Sequence, residues 1–271
     1  MSKTIFLTGS RGFIGSHLLP KLIEYGYEVE TNMRYLDTNK WDCVVHLAAT
    51  THTKTEFDPN IYYNNFFLTH KIFNQPSRVV FASSCSARYN TNPYASSKLW
   101  SEFLGNKHGN ALGLRFFNVF GKNNNKGIVK YLCDQQDGSQ ITIRGENLIR
   151  DYIAVEDVVR EVVRNIPPNK EIRVGVHCKG PNCGPVQKPK LVPNVGVIDV
   201  GTGVGTSTKS LVDLYMELSG KKFEIQTIPA DPSEPKSMIS NTIVPHISLK
   251  EGLLKLIKNE TIQVEATNSS N

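Results

Sequence analysis

Tyr94 and Lys98 are the two residues of this chain whose types and spacing most directly suggest chemistry. They lie four residues apart in a segment, residues 93–104, that has proline in its first turn and is predicted to be helical. Side chains at this spacing share one face of a helix. Because a lysine ammonium favours a nearby phenolate, the pKa of Tyr94 is expected to fall below its usual value of about 10. Such a pair can exchange a proton at neutral pH, but a Tyr/Lys pair by itself is also typical of a helix surface.

A further hydroxyl group decides between these interpretations. Ser83 and Ser84 close a predicted strand that begins at Arg78, shortly before the Tyr94 helix. Ligands of open α/β sheets bind at the carboxyl ends of the strands. The sequence therefore places the hydroxyls of Ser83 and Ser84 at the edge of the sheet where ligands bind.

The second chemical signal is a glycine-rich turn, Thr8-Gly9-Ser10-Arg11-Gly12-Phe13-Ile14-Gly15. An apolar run leads into it and a helix-like pattern follows. Gly9 allows a tight turn, Gly12 lets a pyrophosphate approach the backbone, and Gly15 lets the helix pack closely against the strand. The free N–H groups and the positive end of the helix dipole then face the phosphates. The pattern predicts a dinucleotide site, with GxxGxxG spacing in place of GxGxxG.

Alternating strands and helices must position these residues. Predicted strands occupy residues 5–7, 27–33, 43–49, 78–84, 112–117 and 197–200. Predicted helices occupy residues 60–74, 93–104, 128–133, 155–165, 211–219 and 249–258. Strands that alternate with helices imply an α/β fold with a doubly wound, parallel Rossmann sheet.

The predicted organisation is a dinucleotide-binding domain followed by a smaller C-terminal substrate-binding region. The first comprises residues 1–117, to which residues 151–166 and 196–206 return, and the second comprises residues 118–150 and 207–262. The remaining segments, a surface loop rich in Pro, Gly and Lys and a polar disordered tail, are residues 167–195 and 263–271.

Composition argues against several other classes. The 271 residues carry a net charge of +6, but no Lys/Arg block is interleaved with aromatic residues, so we expect no nucleic-acid partner. No apolar run approaches membrane-spanning length, and the N-terminus lacks a secretory leader pattern. Five scattered cysteines are typical of reduced thiols in a cytoplasmic protein. His177, Cys178 and Cys183 do not match the spacing of a zinc site, so we expect no metal.

In order and number, the motifs resemble those of the extended short-chain dehydrogenase/reductases, a group of NAD(P)-dependent nucleotide-sugar epimerases, dehydratases and reductases. Besides the glycine turn, Ser83-Ser84 and Tyr94-x-x-x-Lys98, the matching motifs are His46-Leu47-Ala48-Ala49, Asn65 with Thr69, Arg115-Phe116-Phe117-Asn118-Val119-Phe120-Gly121, Arg150-Asp151-Tyr152-Ile153, Val200-Gly201-Thr202-Gly203 and Leu249-Lys250-Glu251-Gly252-Leu253. Each motif is weak alone, and together they run nearly the length of the chain.

The resemblance implies a role for each matching residue. Tyr94 would be the acid/base on the sugar hydroxyl that is oxidised, Lys98 would hold the nicotinamide ribose, and Ser84 would hydrogen-bond the same sugar oxygen. The implied cofactor contacts are Gly9, Arg11, Gly12, Phe13, Ile14, Gly15, Arg34, Leu47, Ala48, Ala49, Asn65, Ser83, Tyr94 and Lys98. The implied substrate contacts are His52, Cys85, Asn118 for a phosphate and Arg150 for a nucleotide diphosphate.

Several departures from the family pattern narrow the activity. Counting from the strand assigns the hydroxyl role to Ser84, whereas counting back from Tyr89 would assign it to Cys85; we take the strand count. The acidic pair of the 4,6-dehydratases is missing after Ser84, so dehydration is disfavoured. Residues 122–130 contain no histidine, so 3,5-epimerisation has little support. A second diphosphate arginine is missing around residues 231–234, where Lys236 is a candidate substitute.

The choice between NAD and NADP depends on the end of the second strand. That end is predicted at Asn32-Met33-Arg34 and lacks the acid that binds the ribose 2′-hydroxyl of NAD. Arg34 and Arg11 could instead hold the 2′-phosphate of NADP, which favours NADP. An epimerase normally keeps NAD bound, so this feature fits a reductase better.

The sequence therefore predicts an enzyme, a nucleotide-sugar epimerase that transiently oxidises C4 of a nucleotide-diphosphate sugar. The alternatives are an NADPH-dependent reductase of a 4-keto nucleotide sugar and a non-catalytic dinucleotide-binding member of the family. The resemblance also implies a homodimer formed through helices near Tyr94.

Overall fold

The computed structural model describes residues 2–37, 40–51, 58–168 and 196–268. Its strands are β1 (Thr4–Thr8), β2 (Glu28–Glu30), β3 (Cys43–His46), β4 (Arg78–Ser84), β5 (Ala111–Phe116), β6 (Asn118–Phe120), β7 (Gln140–Arg144), β8 (Ile149–Ala154), β9 (Gly196–Val200), β10 (Gly205–Ser207), β11 (Glu224–Ile228) and β12 (Ser237–Met238). Its α-helices are α1 (Phe13–Glu24), α2 (Pro59–Ile61), α3 (Leu68–Phe73), α4 (Pro93–His108), α5 (Ile128–Asp134), α6 (Val155–Asn165), α7 (Thr208–Ser219) and α8 (Leu249–Asn268). None of the helices described is long and apolar enough to cross a membrane.

A six-stranded parallel sheet, in the order β2-β1-β3-β4-β5-β9, confirms the predicted α/β fold. Its inner strands are largely buried, as in β3, where all four residues are buried. This pattern is expected when helices cover both faces of a parallel sheet. The chain passes from β2 on one side of β1 to β3 on the other, so the strand order reverses at β1. Ligands of such sheets bind outside the carboxyl ends of the strands at this reversal, and the glycine turn directly follows β1.

The chain divides into two compact units. The first consists of Met1–Phe116 and Val159–Val200, and the second of Phe117–Val158 and Gly201–Asn271. The first boundary lies one residue from the predicted one. Residues 151–158 and 201–206, predicted to return to the first domain, belong to the second unit. The reason is that β8 pairs with β6, β10 and β12 of that unit.

Each unit has its own apolar core. In the first unit, buried side chains of the sheet pack with residues of α3; this cluster comprises Phe6, Leu36, Val44, Ile72, Phe73, Val79, Phe81 and Ala111. In the second unit, the β-strands pack with α5, α7 and α8 around a cluster that includes Phe120, Leu132, Ile141, Tyr152, Tyr215 and Leu253.

Three predicted elements differ from the structure. The second strand ends at Glu30 and not near Met33, because the Glu30 carboxylate accepts hydrogen bonds from the backbone N–H groups of Thr31 and Asn32 and turns the chain. The predicted helix over residues 60–74 has a π-helical centre, Tyr62–Phe67, between α2 and α3. The last helix, α8, continues to Asn268, so residues 263–268 are helical where a disordered tail was predicted. Residues 169–195 of the predicted loop lie outside the residues that the structure describes.

Candidate active site

The glycine turn forms a cradle that has no room for side chains. Gly9 has φ +74°, and a Cβ there would lie 2.6 Å from the backbone N of Ala48. A Cβ on Gly15 would lie 2.0 Å from the carbonyl O of Gly9. The N–H of Gly12 closes the turn by donating to the same carbonyl at 2.9 Å. Glycine is therefore required at these positions by the close approach of three backbone segments.

A cavity of about 490 Å³ opens beside this cradle. Its lining residues come from the glycine turn and from the end of β2, and they are Gly9, Ser10, Arg11, Thr31, Asn32 and Met33. The first turn of α1, with Phe13 and Ile14, begins at Gly12, which has no side chain to cap it. Its N–H groups can therefore be capped by a bound anion. The missing Cβ atoms, the cavity and the helix N-terminus fit a dinucleotide phosphate backbone.

A buried histidine fixes the turn that faces the cradle. The ring of His46 lies between the hydroxyls of Thr8 and Thr69, at 2.8 and 3.0 Å. Burial, together with the charge of Lys98, lowers the pKa of His46 to about 3, so the ring is neutral and can donate to one threonine while it accepts from the other. The Thr8 hydroxyl also accepts from the backbone N–H of Ala48 at 3.2 Å. The predicted cofactor contacts Leu47, Ala48 and Ala49 follow directly after His46.

Ser84 and Tyr94 are hydrogen-bonded to each other through their side chains. The Ser84 hydroxyl also accepts from the N–H of Ser86 at 3.2 Å, which begins a 3₁₀ turn, Cys85–Arg88. Asn92 caps α4 by accepting from Ala95 at 2.9 Å, and so fixes Tyr94 in the first helical turn. Cys85 is buried beside the phenol. The structure thus brings together Ser84 and Tyr94, with Cys85 as their neighbour.

Lys98 is buried on the same face of α4 as Tyr94. Its Nζ donates to the carbonyl O of Ala82 at 2.9 Å and lies 5.8 Å from the centre of the Tyr94 ring. Burial lowers the pKa of Lys98 to about 8. It raises the pKa of Tyr94 to about 12, against an opposing effect of the Ser84 hydrogen bond. The prediction that Lys98 brings the pKa of Tyr94 below 10 is therefore wrong for the protein alone, because desolvation of the phenolate is the larger effect.

A sequence model of the NAD dependent epimerase/dehydratase family matches residues 30–175, just over half of the 271 residues. The chain belongs to this family. A curated relative, a UDP-glucose 4-epimerase of Cyamopsis tetragonoloba, is 25% identical, with 89% of this chain and 87% of that protein covered.

Solved structures share the fold. The UDP-glucuronic acid 4-epimerase of Bacillus cereus, in complex with UDP-glucuronic acid and NAD, has a TM-score of 0.73 at 20% identity and covers 96% of this chain and 99% of its own. RMD from Pseudomonas aeruginosa, complexed with NADPH, has a TM-score of 0.74 at 17% identity and covers 97% of this chain and 100% of its own.

In this member of the epimerase/dehydratase family, the Asn65 side chain is hydrogen-bonded to Thr50 and Ser97. Its Oδ1 accepts from the N–H of Thr50 at 2.8 Å, and its Nδ2 donates to the carbonyl O of Thr50 and to the hydroxyl of Ser97, at 2.9 and 3.0 Å. Both N–H groups of the buried amide are thereby used. Asn65 thus has a positioning role, because it joins the segment after β3 to α4, and its contact with a cofactor stays a prediction.

An ion-pair network behind the site was missed by the sequence analysis. Glu102, on α4, is buried and accepts from Ser83 at 2.5 Å and from Arg115 at 2.7 and 2.6 Å. Asp199, on β9, pairs with Arg88 and lies 3.8 Å from Arg115. Ser83, predicted as a cofactor contact, is therefore part of this network through its hydrogen bond to Glu102. A signal was present in the sequence, because Glu102 follows Lys98 by four residues and shares its helix face.

The predicted substrate residues of the second unit are engaged within the protein. Arg150 is 6% exposed; its Nη1 donates to the carbonyls of Ile149 and Pro235 at 2.9 and 3.0 Å, and its Nη2 pairs with Glu234 at 2.6 Å. The contact of Arg150 with a nucleotide diphosphate therefore stays a prediction, and in this structure its Nη2 is paired with Glu234. Asn118 is half-buried and donates to the carbonyl O of Asp151 at 3.2 Å.

The remaining predicted residues have mixed outcomes. Arg11 lines the cavity, and Arg34 is exposed in a 3₁₀ turn, Met33–Tyr35, that follows Asn32. Because β2 ends at Glu30, the prediction that this strand end lacks an acid is wrong. Oε1 of Glu30 accepts both hydrogen bonds from the N–H groups of Thr31 and Asn32. The predicted substrate residue His52, together with His177, Cys178 and Cys183, lies outside the described residues.

Proposed function

We propose that this protein is a nucleotide-sugar epimerase that inverts C4 of a UDP-sugar by transient oxidation. One observation carries the proposal: the hydrogen-bonded Ser84–Tyr94 pair, with Lys98 on the same helix face, lies in the same unit as the glycine cradle. The relatives named as UDP-sugar 4-epimerases support the substrate class.

Tyr94 moves the proton in this reaction. Its phenol oxygen accepts the proton of the C4 hydroxyl as C4 becomes a ketone, and returns it when the alcohol forms again. Because the raised pKa keeps Tyr94 protonated at neutral pH in the protein alone, its own proton would have to pass to solvent before the reaction, when the positive charge of a bound oxidised cofactor favours the phenolate. The Ser84 hydroxyl is placed to hold the same sugar oxygen. Inversion requires that the flat ketone present its other face before the alcohol forms again.

The residues of the cradle and of α4 would hold the cofactor. The turn Gly9–Gly15 and the N-terminus of α1 would bind the phosphates, and Lys98 would bind the nicotinamide ribose. A nicotinamide cofactor would supply the hydride acceptor, and the positive charge of its oxidised ring would favour the Tyr94 phenolate.

Arg11 and Arg34 favour NADP as that cofactor. Arg11 lines the cavity, and one oxygen of the Glu30 carboxylate, Oε1, accepts from the backbone N–H groups of Thr31 and Asn32. An arginine fork suits a phosphate, whereas a carboxylate suits the ribose 2′-hydroxyl of NAD. Titration of Arg11→Gln with both cofactors checks this: affinity for NADP should fall about tenfold and affinity for NAD should change little. Equal losses for both would contradict the preference.

The activity is tested by incubating the purified protein with UDP-glucose and following C4 inversion by NMR. Epimerisation should proceed without added reductant, since the hydride taken from C4 is returned to it. Tyr94→Phe should slow the reaction by about 10²–10⁴-fold, whereas Tyr62→Phe, on an exposed tyrosine, should leave it unchanged. No inversion with UDP-glucose, UDP-glucuronic acid or UDP-arabinose would refute the proposal.

The neutral phenol of Tyr94 favours a second candidate, an NADPH-dependent reductase of a 4-keto nucleotide sugar. A protonated phenol is ready to donate to a ketone oxygen as it is reduced. A strict requirement for stoichiometric NADPH identifies this activity. A non-catalytic dinucleotide-binding role would instead leave every measured activity unchanged in Tyr94→Phe.

A homodimer and a cytoplasmic location are part of the proposal. The π-helical segment and α4 pack together and carry exposed aromatic side chains, namely Tyr62, Tyr63, Phe67, Trp100 and Phe103. A second copy is the occupant that would cover this face. Phe103→Glu should dissociate the dimer in analytical ultracentrifugation, whereas Ile23→Glu on α1 should not. The buried free thiols Cys43, Cys85 and Cys133 are typical of a reducing compartment.

A further inference from the structure

The ion pair between Arg150 and Glu234 has an asymmetry that suggests a function. The Arg150 side chain is 7% exposed, whereas the Glu234 side chain is 35% exposed. Two backbone carbonyls, of Ile149 and Pro235, hold Nη1 of the arginine, so the guanidinium is fixed by contacts that do not involve Glu234. The carboxylate makes one contact of 2.6 Å to Nη2. The arginine is therefore the fixed partner, and the glutamate is the partner that can leave.

The backbone on both sides of Glu234 is anchored. Before it, Asp231 accepts from the N–H and hydroxyl of Ser233, at 2.9 and 2.7 Å, and its carbonyl accepts from the N–H of Glu234 at 2.9 Å. After it, the carbonyl of Lys236 accepts from the N–H of Ile149 at 2.8 Å, where β12 joins β8. Displacement of Glu234 from Arg150 thus requires a change of its side-chain rotamer and no rearrangement of the loop.

We propose that Glu234 is a specificity residue: its carboxylate occupies on Arg150 the place of the substrate's diphosphate, and a diphosphate displaces it. The inference rests on the proposed function, because it takes a nucleotide diphosphate as the ligand of this arginine. For this guanidinium, an anion with several acceptor oxygens and more than one charge competes well with a single, partly exposed carboxylate. An uncharged sugar or nucleoside does not. Glu234 therefore selects for phosphorylated ligands and lowers their affinity by the cost of its own displacement.

Isothermal titration with UDP tests this directly. A partly exposed ion pair contributes up to about 1 kcal/mol, so Glu234→Gln should bind UDP about fivefold more tightly than the unaltered protein. Binding of uridine, which has no phosphate, should not change. Glu217→Gln is the matched control: it removes one carboxylate of the same unit from an exposed pair with Lys250 and should leave UDP affinity unchanged.

A double-mutant cycle assigns the gain to Arg150. In an Arg150→Gln background, Glu234→Gln should bring no further increase in UDP affinity, because the competed cation is gone. An equal gain in both backgrounds, a gain that extends to uridine, or no gain at all would overturn the inference. So would failure of both the unaltered protein and Glu234→Gln to bind either UDP or inorganic pyrophosphate.

Binding and turnover separate this inference from the proposed function. If Glu234→Gln tightens UDP binding but no UDP-sugar is converted, the competitor role stands and the epimerase proposal falls. If UDP-sugars are converted but UDP affinity is unaffected by Glu234→Gln, the epimerase proposal stands and the competitor role falls.

Discussion

Two arginine–glutamate pairs, one in each unit, differ in how firmly the carboxylate is held. In the first unit, Glu102 is buried and accepts two hydrogen bonds from Arg115 and one from Ser83. In the second unit, Glu234 is partly exposed and makes one contact with Arg150. The first pair is a permanent part of the scaffold behind the Ser84–Tyr94 site. The second pair can open without unfolding anything.

The difference shows how the two units are prepared for ligands. The first unit has a glycine cradle already shaped for phosphates, and its reactive groups are held by buried contacts. In the second unit, Arg150, the predicted diphosphate-binding arginine, is paired with the carboxylate of Glu234. On the proposals above, cofactor binding would need no rearrangement in the first unit, whereas substrate binding would require displacement of Glu234 from Arg150 in the second.

The largest effect is expected at Tyr94, where loss of one hydroxyl should stop chemistry without loosening the first unit. Tyr94→Phe should lower kcat by about 10²–10⁴-fold, the usual contribution of a general acid/base. Dinucleotide affinity should stay within about twofold, because the glycine cradle is untouched. Steady-state kinetics and fluorescence titration measure the two quantities. Retained activity would contradict the assignment of the catalytic centre to Tyr94 in the first unit.

The next-largest effect concerns how much each of the two ion pairs contributes to the free energy of unfolding. Glu102→Gln should lower the free energy of unfolding by about 3 kcal/mol, since it leaves a partly buried arginine without its main partner. Urea denaturation followed by circular dichroism measures this. The result should also include a loss of activity, because Ser83 and α4 lose their common anchor. If Glu102→Gln lowered the free energy of unfolding only as little as the loss of an exposed ion pair does, the proposed difference between the two pairs would be contradicted.

A third effect compares glycines of the two units. Gly15→Ala places a Cβ 2.0 Å from the carbonyl of Gly9 and should weaken dinucleotide binding at least about tenfold, with a loss of about 1–3 kcal/mol in stability. Gly138→Ala, in the second unit, is the matched control. Its added Cβ meets nothing within 4 Å, and its φ of +77° costs only about 1–2 kcal/mol. Unchanged dinucleotide affinity in Gly15→Ala would contradict the cradle.

A fourth effect concerns the pH dependence of the first unit. The pKa of Lys98 is lowered to about 8 by burial, so its ammonium is lost as the pH rises through that value. We expect kcat/KM to fall above pH 8, by about tenfold at pH 9, because the charge that assists the Tyr94 phenolate disappears. In Lys98→Arg, any residual activity should keep its value to above about pH 10, because a guanidinium does not titrate there. A flat profile in the unaltered protein would show that this charge is not needed.

The smallest effect is expected at Glu234. Glu234→Gln should change the free energy of unfolding by less than about 1 kcal/mol, because the pair is partly exposed and Arg150 keeps its two backbone acceptors. The same urea denaturation measures it beside Glu102→Gln. A loss comparable to that of Glu102→Gln would make the second pair structural as well.

Much of the first unit could be predicted from local patterns. The alternation of apolar runs and helices indicates a parallel sheet, and the spacing of Gly9, Gly12 and Gly15 indicates the cradle, because these features depend on neighbours in sequence. The end of β2 was missed because Glu30 competes for the backbone N–H groups beyond it. The Tyr94–Lys98 spacing predicts their shared face, but the direction of the pKa shift depends on burial, which spacing does not contain.

Periodicity and glycine spacing act over a few residues, so they were enough to predict the fold class, the cradle and the residues that could carry the chemistry. Three features became apparent in the folded protein alone: the raised pKa of Tyr94, the contacts by which Asn65 and Glu102 position the site, and the pairing of Arg150 with Glu234. These facts depend on desolvation and on contacts between residues far apart in the chain: Arg150 and Glu234 are separated by 84 positions. A local sequence pattern does not indicate which carboxylate will form an ion pair with a given arginine.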